Sequence, residues 1–428
     1  MGLLPTKNDF EQLRISPLRD LLAGFTVALV ALPLALAFGV ASGLGAEAGL
    51  TTAIIAGGLA AIFGGSRLQV SGPTGAMTVI LVPIFHSFGA SAVLFVGLTA
   101  GLLLILAAIT KVGQHVHRIP TAVIDGFTAG IGIVIVLQQF ANLFGVASNH
   151  SEKAWQFAWV AASDATSNFS RLPDWQAPLV ALAVATLILL ASKFLPRLPL
   201  TMVAVIAVTM LTQALHLDLA TIGDLPARIG SFSLGFLAQS NWMSLVVPSI
   251  AVAILAALES LLSAKVADSL RGDDEKHDSN RELFGQGLAN LVVPFFGGVA
   301  ATAAIARTAV NVRQNAQSKL SALSHSVFLA LAVLLFANLV SQIPLAALAG
   351  VLLATMLHVI KPSEVMRTLR SGRIDAIVFA VTFIVTVLGD LISAVVIGVL
   401  LSITLRKTKL ADLSRRVPSI DSAETLGD

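Results

Sequence analysis

Long apolar runs recur along the whole chain, and short polar loops separate them. Of the 428 residues, 56% are hydrophobic and only 12% are charged, against about 25% charged in an average soluble domain. A water-soluble fold of this length cannot bury so much apolar surface, whereas lipid covers it in a bilayer. Because about 20 apolar residues suffice for a helix to cross the hydrocarbon layer, the sequence predicts an all-α integral membrane protein.

About fourteen apolar segments are predicted to cross the membrane fully or partly. Two of them are short and interrupted, near 74–87 and 302–313. The others lie at 20–42, 48–64, 91–110, 121–145, 176–193, 199–215, 244–264, 284–296, 322–340, 345–360, 374–390 and 391–405.

Basic residues set the predicted orientation, because Lys and Arg concentrate in cytoplasmic loops. With the N-terminus inside, only Lys153, Arg171 and Arg228 of the 27 basic residues fall outside, and Arg307 lies within a short segment. This bias predicts an even number of crossings in the cytoplasmic (inner) membrane, with both termini inside. The predicted polar segments are a cytoplasmic N-terminal segment at 1–19, an external loop at 217–243 and a short cytoplasmic tail at 407–428.

Several classes of function find no support in the sequence. There is no cysteine, which excludes disulfides, thiolate catalysis and cysteine-held metals. No spacing of His, Asp and Glu matches a metal-ligand or catalytic motif, and no phosphate-binding P-loop occurs. The basic residues are scattered among loop ends, which argues against nucleic-acid binding. The sequence therefore predicts neither an enzyme nor a cofactor.

The two halves of the chain resemble each other. An Ile-Pro pair opens an apolar segment at Ile119 and again at Ile343, and the two short segments correspond at nearly the same offset. Since about seven predicted crossings separate the matched segments, the second half is expected to be inverted, as is typical of secondary transporters. We predict a first repeat at 20–216 and a second at 244–406. Chance similarity among segments rich in Ala, Gly, Leu and Val is the alternative.

The two short segments carry residue types that suit an anion site. A helix that begins within the membrane leaves N–H groups free in its first turn, and these groups attract an anion together with the helix dipole. In the first segment Ser71 and Thr74 supply hydroxyls, while Gly72 and Gly75 allow close approach of the backbone. Thr302 supplies the hydroxyl in the second segment. Tight helix packing, which also favours small residues, is the alternative.

Two ionisable residues lie inside apolar segments, Glu259 in LAALESLLSAKVA and Arg307 in AAIARTAVN. A charge at bilayer depth costs about 2.5–3.5 kcal/mol on insertion scales, and function usually explains its presence. Arg307 is expected to raise the positive potential of the site or to pair with Glu259. Glu259 is expected to carry a proton, with Ser263 one turn further on as its hydrogen-bond partner. Sodium is the rival coupling ion, and a purely structural Glu–Arg pair is the alternative.

Six motifs, in order along the chain, resemble those of the sulfate permease (SulP) family of anion transporters. They are ALPLALAFGVASGLGAEAGL at 31–50, VSGPTGAMT at 70–78, ESLLSAKVADS at 259–269, SNRELFGQGLAN at 279–290, AIARTAVNVR at 304–313 and GDLISAVVIGVLLS at 389–402. The resemblance implies a seven-plus-seven inverted topology with a core domain and a gate domain. It also implies an anion site between the third and tenth segments, which are short half-helices.

The resemblance implies roles for individual residues. Glu259 matches the family's carboxylate on the eighth segment, and Glu259 and Ser263 are the expected ion-coupling residues. Glu259 together with Arg307 is similar to the proton-coupled sulfate or dicarboxylate type, whereas the GAEAGL stretch also resembles bicarbonate members. The residues expected to line the anion site are Phe38, Ser71, Thr74, Gly75, Ala76, Ala301, Thr302, Ala303 and Arg307.

The chain departs from the family pattern in three ways. The STAS domain that usually follows the last crossing is not found in these 428 residues, so we expect either a member without this domain or a sequence that stops before it. Ala300 and Ala303 stand where members often have Pro and Gly, so a less pronounced break is expected before the second half-helix. Leu34 replaces a common Gln, which removes a polar contact.

The predicted function is secondary active transport of a small inorganic anion, sulfate first and bicarbonate next, by proton-coupled symport with an elevator-like movement. The alternatives are a sodium-coupled bicarbonate symporter and an uncoupled anion channel or exchanger of the same fold. The expected partners are the anion, a co-transported proton or sodium ion, and the lipid bilayer. The sequence is compatible with a homodimer, and no nucleic-acid partner is expected.

Overall fold

Helices account for most of the fold. The computed structural model describes residues 2–114, 120–144, 156, 158–160, 162–163, 175–195, 198–238, 241–272, 276–360, 362–389 and 391–416. The first elements are α1 Lys7–Gln12, α2 Pro17–Ala41, α3 Ala46–Phe63, β1 Ser71–Gly72, α4 Gly75–Phe88, α5 Ala90–Ile109, α6 Thr121–Gln138, α7 Phe140–Phe144, α8 Gln176–Phe194 and α9 Leu200–Ala214. The later elements are α10 Val246–Arg271, α11 Ser279–Val292, β2 Thr302–Ala303, α12 Ile305–Arg313, α13 Lys319–Val340, α14 Leu345–Val359, α15 Pro362–Ser371, α16 Arg373–Leu388 and α17 Leu391–Arg416.

Every predicted apolar segment overlaps one of these helices. Within the described part of the chain, eight helical stretches are long and apolar enough to cross a membrane. Helices α4 and α9 are apolar but shorter. The helical membrane-protein class predicted from the sequence is therefore confirmed.

By its internal contacts the chain divides into two compact units, Met1–His117 with Gly132–Val359 and Arg118–Ile131 with Ile360–Asp428. In the first unit α2 packs on α3 and α13, and α5 packs on α11. A Cβ at Gly39 would lie 2.7 Å from the Gly49 nitrogen. Glycine at this position therefore lets α2 and α3 approach closely, a device common among membrane helices.

The second unit contains α16, α17 and the beginning of α6. Val123 and Val378 are fully buried there in one apolar cluster with Ala122. The Thr368 hydroxyl donates to the Asp125 carboxylate over 2.6 Å. Asp125 thus has a structural partner within its own unit.

Two short extended segments interrupt the helices of the first unit. β1 and β2 pair in antiparallel fashion, with Ser71 opposite Ala303 and Gly72 opposite Thr302. The sequence predicts the second short helix from residue 302, but α12 begins at Ile305, because the preceding residues pair with β1 instead of entering the helix.

The predicted polar segments show some local structure. Segment 1–19 holds α1 and the first residues of α2. In segment 217–243, Thr221 forms an isolated antiparallel bridge with Pro344. Helix α17 continues to Arg416, and the remainder of the predicted tail lies outside the described residues. The boundaries of the two repeats stay a prediction.

Candidate functional site

The first turn of α4 lies at its junction with β1. Thr74 is the N-cap, with extended backbone and a hydroxyl that accepts a hydrogen bond from the Met77 N–H over 3.5 Å. The N–H groups of Gly75 and Ala76 precede the first intrahelical bond, so they have no acceptor within the helix. This turn therefore presents backbone donors at the positive end of the helix dipole.

Gly75 is enclosed by apolar side chains. A Cβ at this position would lie 2.2 Å from Ile135 Cδ1 and 3.1 Å from Phe38 Cε1. A larger residue would displace both neighbours and shift the start of α4. Phe38, expected to line the anion site, thus lies against the first turn of this helix.

The first turn of α12 offers a second set of donors. The Ala304 N–H donates to the Val70 carbonyl over 3.0 Å, and the Thr308 N–H donates to the Ala304 carbonyl over 2.9 Å. These bonds determine where the helix starts. Alanine at the N-cap has no side-chain acceptor, so the N–H groups of Ile305 and Ala306 are not capped.

The Glu259 carboxylate connects the two short segments. Its Oε2 accepts hydrogen bonds from Thr74 Oγ1 over 2.8 Å and from Thr302 Oγ1 over 2.6 Å. The two hydroxyl oxygens are 3.1 Å apart. Because Glu259 belongs to α10, three elements meet at one cluster of oxygens. Such a cluster suits a proton carried on the carboxylate or a hard cation that prefers oxygen ligands.

Arg307 is buried, with only 1% of its surface exposed. Its Nη2 donates to the Pro73 carbonyl over 2.7 Å, so the guanidinium is bonded to the segment before α4 and not to the Glu259 carboxylate. Its Nη1 is buried and has no hydrogen-bond acceptor among the described residues. This nitrogen lies close to Gly72, where a Cβ would come within 2.5 Å of it.

Ala301 and Ala303 contribute no free backbone donors to the site. The Ala301 N–H donates to Asn290 Oδ1 over 2.7 Å, and the Ala303 N–H donates to Ser260 Oγ over 3.2 Å. An anion in this region would instead meet the donors in the first turns of α4 and α12.

Ser71 and Ser263 also have partners within the protein. Ser71 Oγ accepts a hydrogen bond from Gln286 Nε2 over 2.6 Å. Ser263, predicted to hydrogen-bond Glu259, instead donates to Thr308 Oγ1 over 3.0 Å. The reason is that Thr308 lies on α12, which packs against α10.

The sequence reasoning missed three residues of this region. Ser260, Gln286 and Asn290 are polar residues within motifs that lie in or beside apolar segments, and that polarity is the signal that could have identified them.

Comparison with known proteins agrees with the resemblance carried by the motifs. Residues 18–382 match the sequence profile of the Sulfate permease family. A Bacillus subtilis protein named putative sulfate transporter YvdB is 37% identical over 402 residues, which cover 93% of this chain and 75% of the relative. The bicarbonate transporter BicA of Picosynechococcus is 33% identical over 419 residues, which cover 95% of this chain and 73% of the relative.

The fold also matches a solved structure, the transmembrane domain of a cyanobacterial bicarbonate transporter BicA. The two chains are 32% identical and superpose with a TM-score of 0.80, over 90% of this chain and 98% of that domain. Both the Bacillus and the Picosynechococcus relatives are named as transporters. This chain belongs to the sulfate permease family.

Proposed function

We propose that this chain carries out secondary active transport of a small oxyanion, with sulfate as the first candidate substrate and a proton as the coupling ion. The observation that carries the proposal is the contact of Glu259 with the hydroxyls of Thr74 and Thr302. Each hydroxyl lies next to the start of a short helix. A change of charge at Glu259 would therefore act directly on the place where an anion would bind.

The anion would bind between the first turns of α4 and α12. Arg307, in the first turn of α12, contacts Pro73, just before α4, so the two turns adjoin. Both turns present uncapped backbone donors and the positive end of a helix dipole, which favour an anion. The buried guanidinium adds a full positive charge beside them.

Protonation of Glu259 would couple the anion to a proton. An ionised carboxylate repels an arriving anion, whereas a neutral carboxyl does not. An anion at the site would thus favour the binding of a proton, and by reciprocal linkage the proton would favour the anion. Symport follows when only the empty and the doubly loaded forms change access from one side of the membrane to the other.

Sodium-coupled bicarbonate transport is the second candidate. The carboxylate and two hydroxyl oxygens around Glu259 suit a hard cation as well as a proton. Two similar proteins support it, since a 33% identical relative and a matched transmembrane domain are both named as bicarbonate transporters. The sulfate proposal rests in turn on the 37% identical relative named as a putative sulfate transporter.

The proposed architecture is fourteen crossings in two inverted repeats of seven, with both termini in the cytoplasm and an elevator-like movement. Its support is the overlap of each predicted segment with a helix and the concentration of basic residues in alternate loops. The two short helices that follow paired strands would be the matched half-helices of the repeats.

Radiolabelled uptake into proteoliposomes tests the substrate and the coupling ion together. Sulfate, bicarbonate and dicarboxylates are offered with and without imposed proton and sodium gradients. Sulfate uptake that an inward proton gradient stimulates is the expected result. Bicarbonate uptake that requires sodium would support the second candidate, and no uptake of any of these anions would refute both.

Counterflow distinguishes a carrier from an uncoupled channel. Liposomes preloaded with unlabelled sulfate should accumulate labelled sulfate transiently if one site alternates between the two sides. A channel gives no such accumulation, so its absence alongside measurable sulfate uptake would contradict alternating access.

A further inference from the structure

Three polar side chains form a buried row along α11. Glu282, Gln286 and Asn290 recur at every fourth residue, so they lie on one face of the helix. Only 2%, 0% and 1% of their respective surfaces are exposed. A buried polar group costs free energy unless it is hydrogen-bonded, so the partners of this polar row indicate its purpose.

Asn290 binds the chain before β2 as a neighbouring strand would. Its Oδ1 accepts from the Ala301 N–H over 2.7 Å, and its Nδ2 donates to the Ala301 carbonyl over 2.9 Å. Both backbone groups of Ala301 are thereby satisfied outside α12, which begins at Ile305. The same Nδ2 donates to the Gln286 carbonyl over 2.9 Å.

Gln286 binds β1 from the same helix. Its Nε2 donates to Ser71 Oγ over 2.6 Å and to Glu282 Oε1 over 2.9 Å. Glu282 in turn accepts the N–H groups of Gly65 and Ser66 on its Oε2, both over 3.0 Å. The polar row therefore connects the loop before β1, β1 itself and the residue that precedes β2.

The partners also determine how each amide is oriented. Gln286 Nε2 has an acceptor in both Ser71 Oγ and Glu282 Oε1, so the nitrogen of this amide faces Glu282. A backbone N–H only donates and a carbonyl only accepts, so Asn290 has one orientation against Ala301. The row therefore attaches both β1 and the residue before β2 to one face of α11.

We propose that Gln286 and Asn290 are positioning residues of the anion site, which act through Ser71 and Ala301 to hold the β1–β2 pair and the helix starts that follow it. This inference rests on the proposed transport function, because it concerns the geometry of the same site. Neither side chain contacts the anion in this arrangement. Their removal is expected to loosen the two strands while the remainder of the unit stays packed.

Hydrogen–deuterium exchange of the purified protein in detergent tests the structural part of the inference. Gln286→Ala should speed exchange at residues 70–76, and Asn290→Ala at residues 299–306, by about tenfold relative to the surrounding helices. The matched control is Leu283→Ala, which removes a buried side chain (0% exposed) from the same helix. The control should lower the unfolding temperature without a selective effect on these two segments.

Sulfate affinity and a double-mutant cycle test the functional part. Ser71→Ala and Gln286→Ala should each raise the sulfate Kd by about 2- to 10-fold. The double variant should bind no more weakly than the weaker single variant, because both changes remove one shared contact. Additive losses, or an equal rise in Kd with Leu283→Ala, would overturn the positioning role.

The exchange experiment and the affinity experiment can contradict their predictions independently of each other. If wild-type protein binds no sulfate, the proposed substrate is wrong, whereas the exchange data still decide whether the polar row holds the strands. If the α11 variants do not fold, Ser71→Ala still tests the contact, since it removes one oxygen and leaves α11 unchanged. If residues 70–76 of Ser71→Ala exchange at the wild-type rate and this variant binds sulfate with wild-type affinity, the inference for Gln286 is refuted.

Discussion

Arg307 combines a buried charge with a hydrogen bond that joins two segments of the chain. Its Nη2 holds the Pro73 carbonyl over 2.7 Å, while its Nη1 remains a buried donor without an acceptor among the described residues. A buried charge is costly unless a partner or a ligand offsets the cost. A buried guanidinium beside the N-termini of α4 and α12 is the arrangement that the proposed anion site requires.

Arg307→Ala should weaken sulfate binding by about 10- to 100-fold, because a hydrogen bond to a charged group contributes about 1.5–3 kcal/mol. The protein should still fold, since the site is small and the neighbouring helices keep their apolar contacts. The measurement is sulfate affinity of the purified variant, alongside size-exclusion chromatography and helical circular dichroism.

Arg313→Ala is the matched control for the loss of a positive charge. Arg313 is exposed at the other end of the same helix, so its removal should leave sulfate affinity within about twofold of wild type, as expected for a screened surface charge. Equal losses in the two variants would mean that Arg307 acts only through the net charge of the protein.

At the scale of single residues, the sequence indicated which ionisable residues belong to the site more accurately than it indicated their hydrogen-bond partners. Glu259 and Arg307 are conspicuous because an ionisable group in an apolar segment is costly. Which hydroxyl faces Glu259 depends on the rotation of α10 and on its packing against α12, and no local pattern encodes either. Ser263 and Ser260 therefore bond to groups that the sequence could not indicate.

Among the secondary-structure elements, β1 depends on a glycine next to the buried cation. A Cβ at Gly72 would lie 2.5 Å from Arg307 Nη1 and 3.3 Å from the Ala53 Cα. Gly72→Ala should therefore displace the guanidinium and lower sulfate affinity by about tenfold, comparable to the loss of one good hydrogen bond. Isothermal titration of the purified variant with sulfate measures this loss.

Gly58→Ala is the control for this prediction. It tests whether sulfate affinity falls because the new Cβ contacts Arg307 or because any glycine has been replaced by alanine. Gly58 lies within α3, and a Cβ there would meet its nearest neighbour at 3.8 Å, an ordinary contact. This variant should keep wild-type affinity and gain up to about 1 kcal/mol in stability, because alanine is the better helix former. A loss of sulfate affinity in Gly58→Ala as well would remove the steric explanation.

The Asp9 carboxylate joins the short helix α1 to α11 and α13. Asp9 bonds Arg281 Nη2 over 3.0 Å and lies 3.5 Å from Lys319 Nζ. Burial alone would raise the pKa of Asp9, but hydrogen bonds from the Thr6 N–H and from Arg281, together with the Lys319 charge, hold this pKa well below its usual range. The ionised carboxylate therefore stabilises the folded protein.

Asp9→Asn should lower the unfolding temperature at pH 7, with an effect that fades in acid. Because the folded-state pKa is depressed, the wild-type advantage is complete above the unfolded-state pKa of about 4 and is lost progressively below it. Thermal unfolding from pH 7 to pH 3 measures this difference. Glu11→Gln removes an exposed carboxylate from the same helix. It is the control for the loss of a negative charge and should leave the unfolding temperature at pH 7 close to that of the wild type.

The sequence located the helices more accurately than it located their ends. Apolar length identified the long spans, because the bilayer imposes that length. The start of α12 depends on the pairing of β2 with β1, residues far away in the chain, and a pattern within one segment carries no information about such a partner. The division into two compact units is likewise a property of packing that the repeat pattern does not contain.

At the scale of the whole molecule, the proposed coupling to a proton depends on the cluster around Glu259. Its three oxygens would attract a sodium ion as well as a proton. Substitution of Glu259 by glutamine distinguishes a proton from a sodium ion. A glutamine reproduces the shape and the neutral charge of a protonated glutamate, whereas it lacks the negative charge that binds sodium.

Glu259→Gln should therefore bind sulfate and exchange it across the membrane, yet fail to use a proton gradient. In the wild type, an inward gradient of one pH unit at fixed sodium should stimulate uptake by up to about tenfold, since one unit corresponds to about 1.4 kcal/mol. In the variant this stimulation should vanish while counterflow of labelled sulfate persists, because the neutral side chain mimics the loaded state. Glu364→Gln, which changes a carboxylate paired with Arg367, should keep the wild-type response. Wild-type uptake that ignores pH but requires sodium would replace the proton by sodium at this same carboxylate.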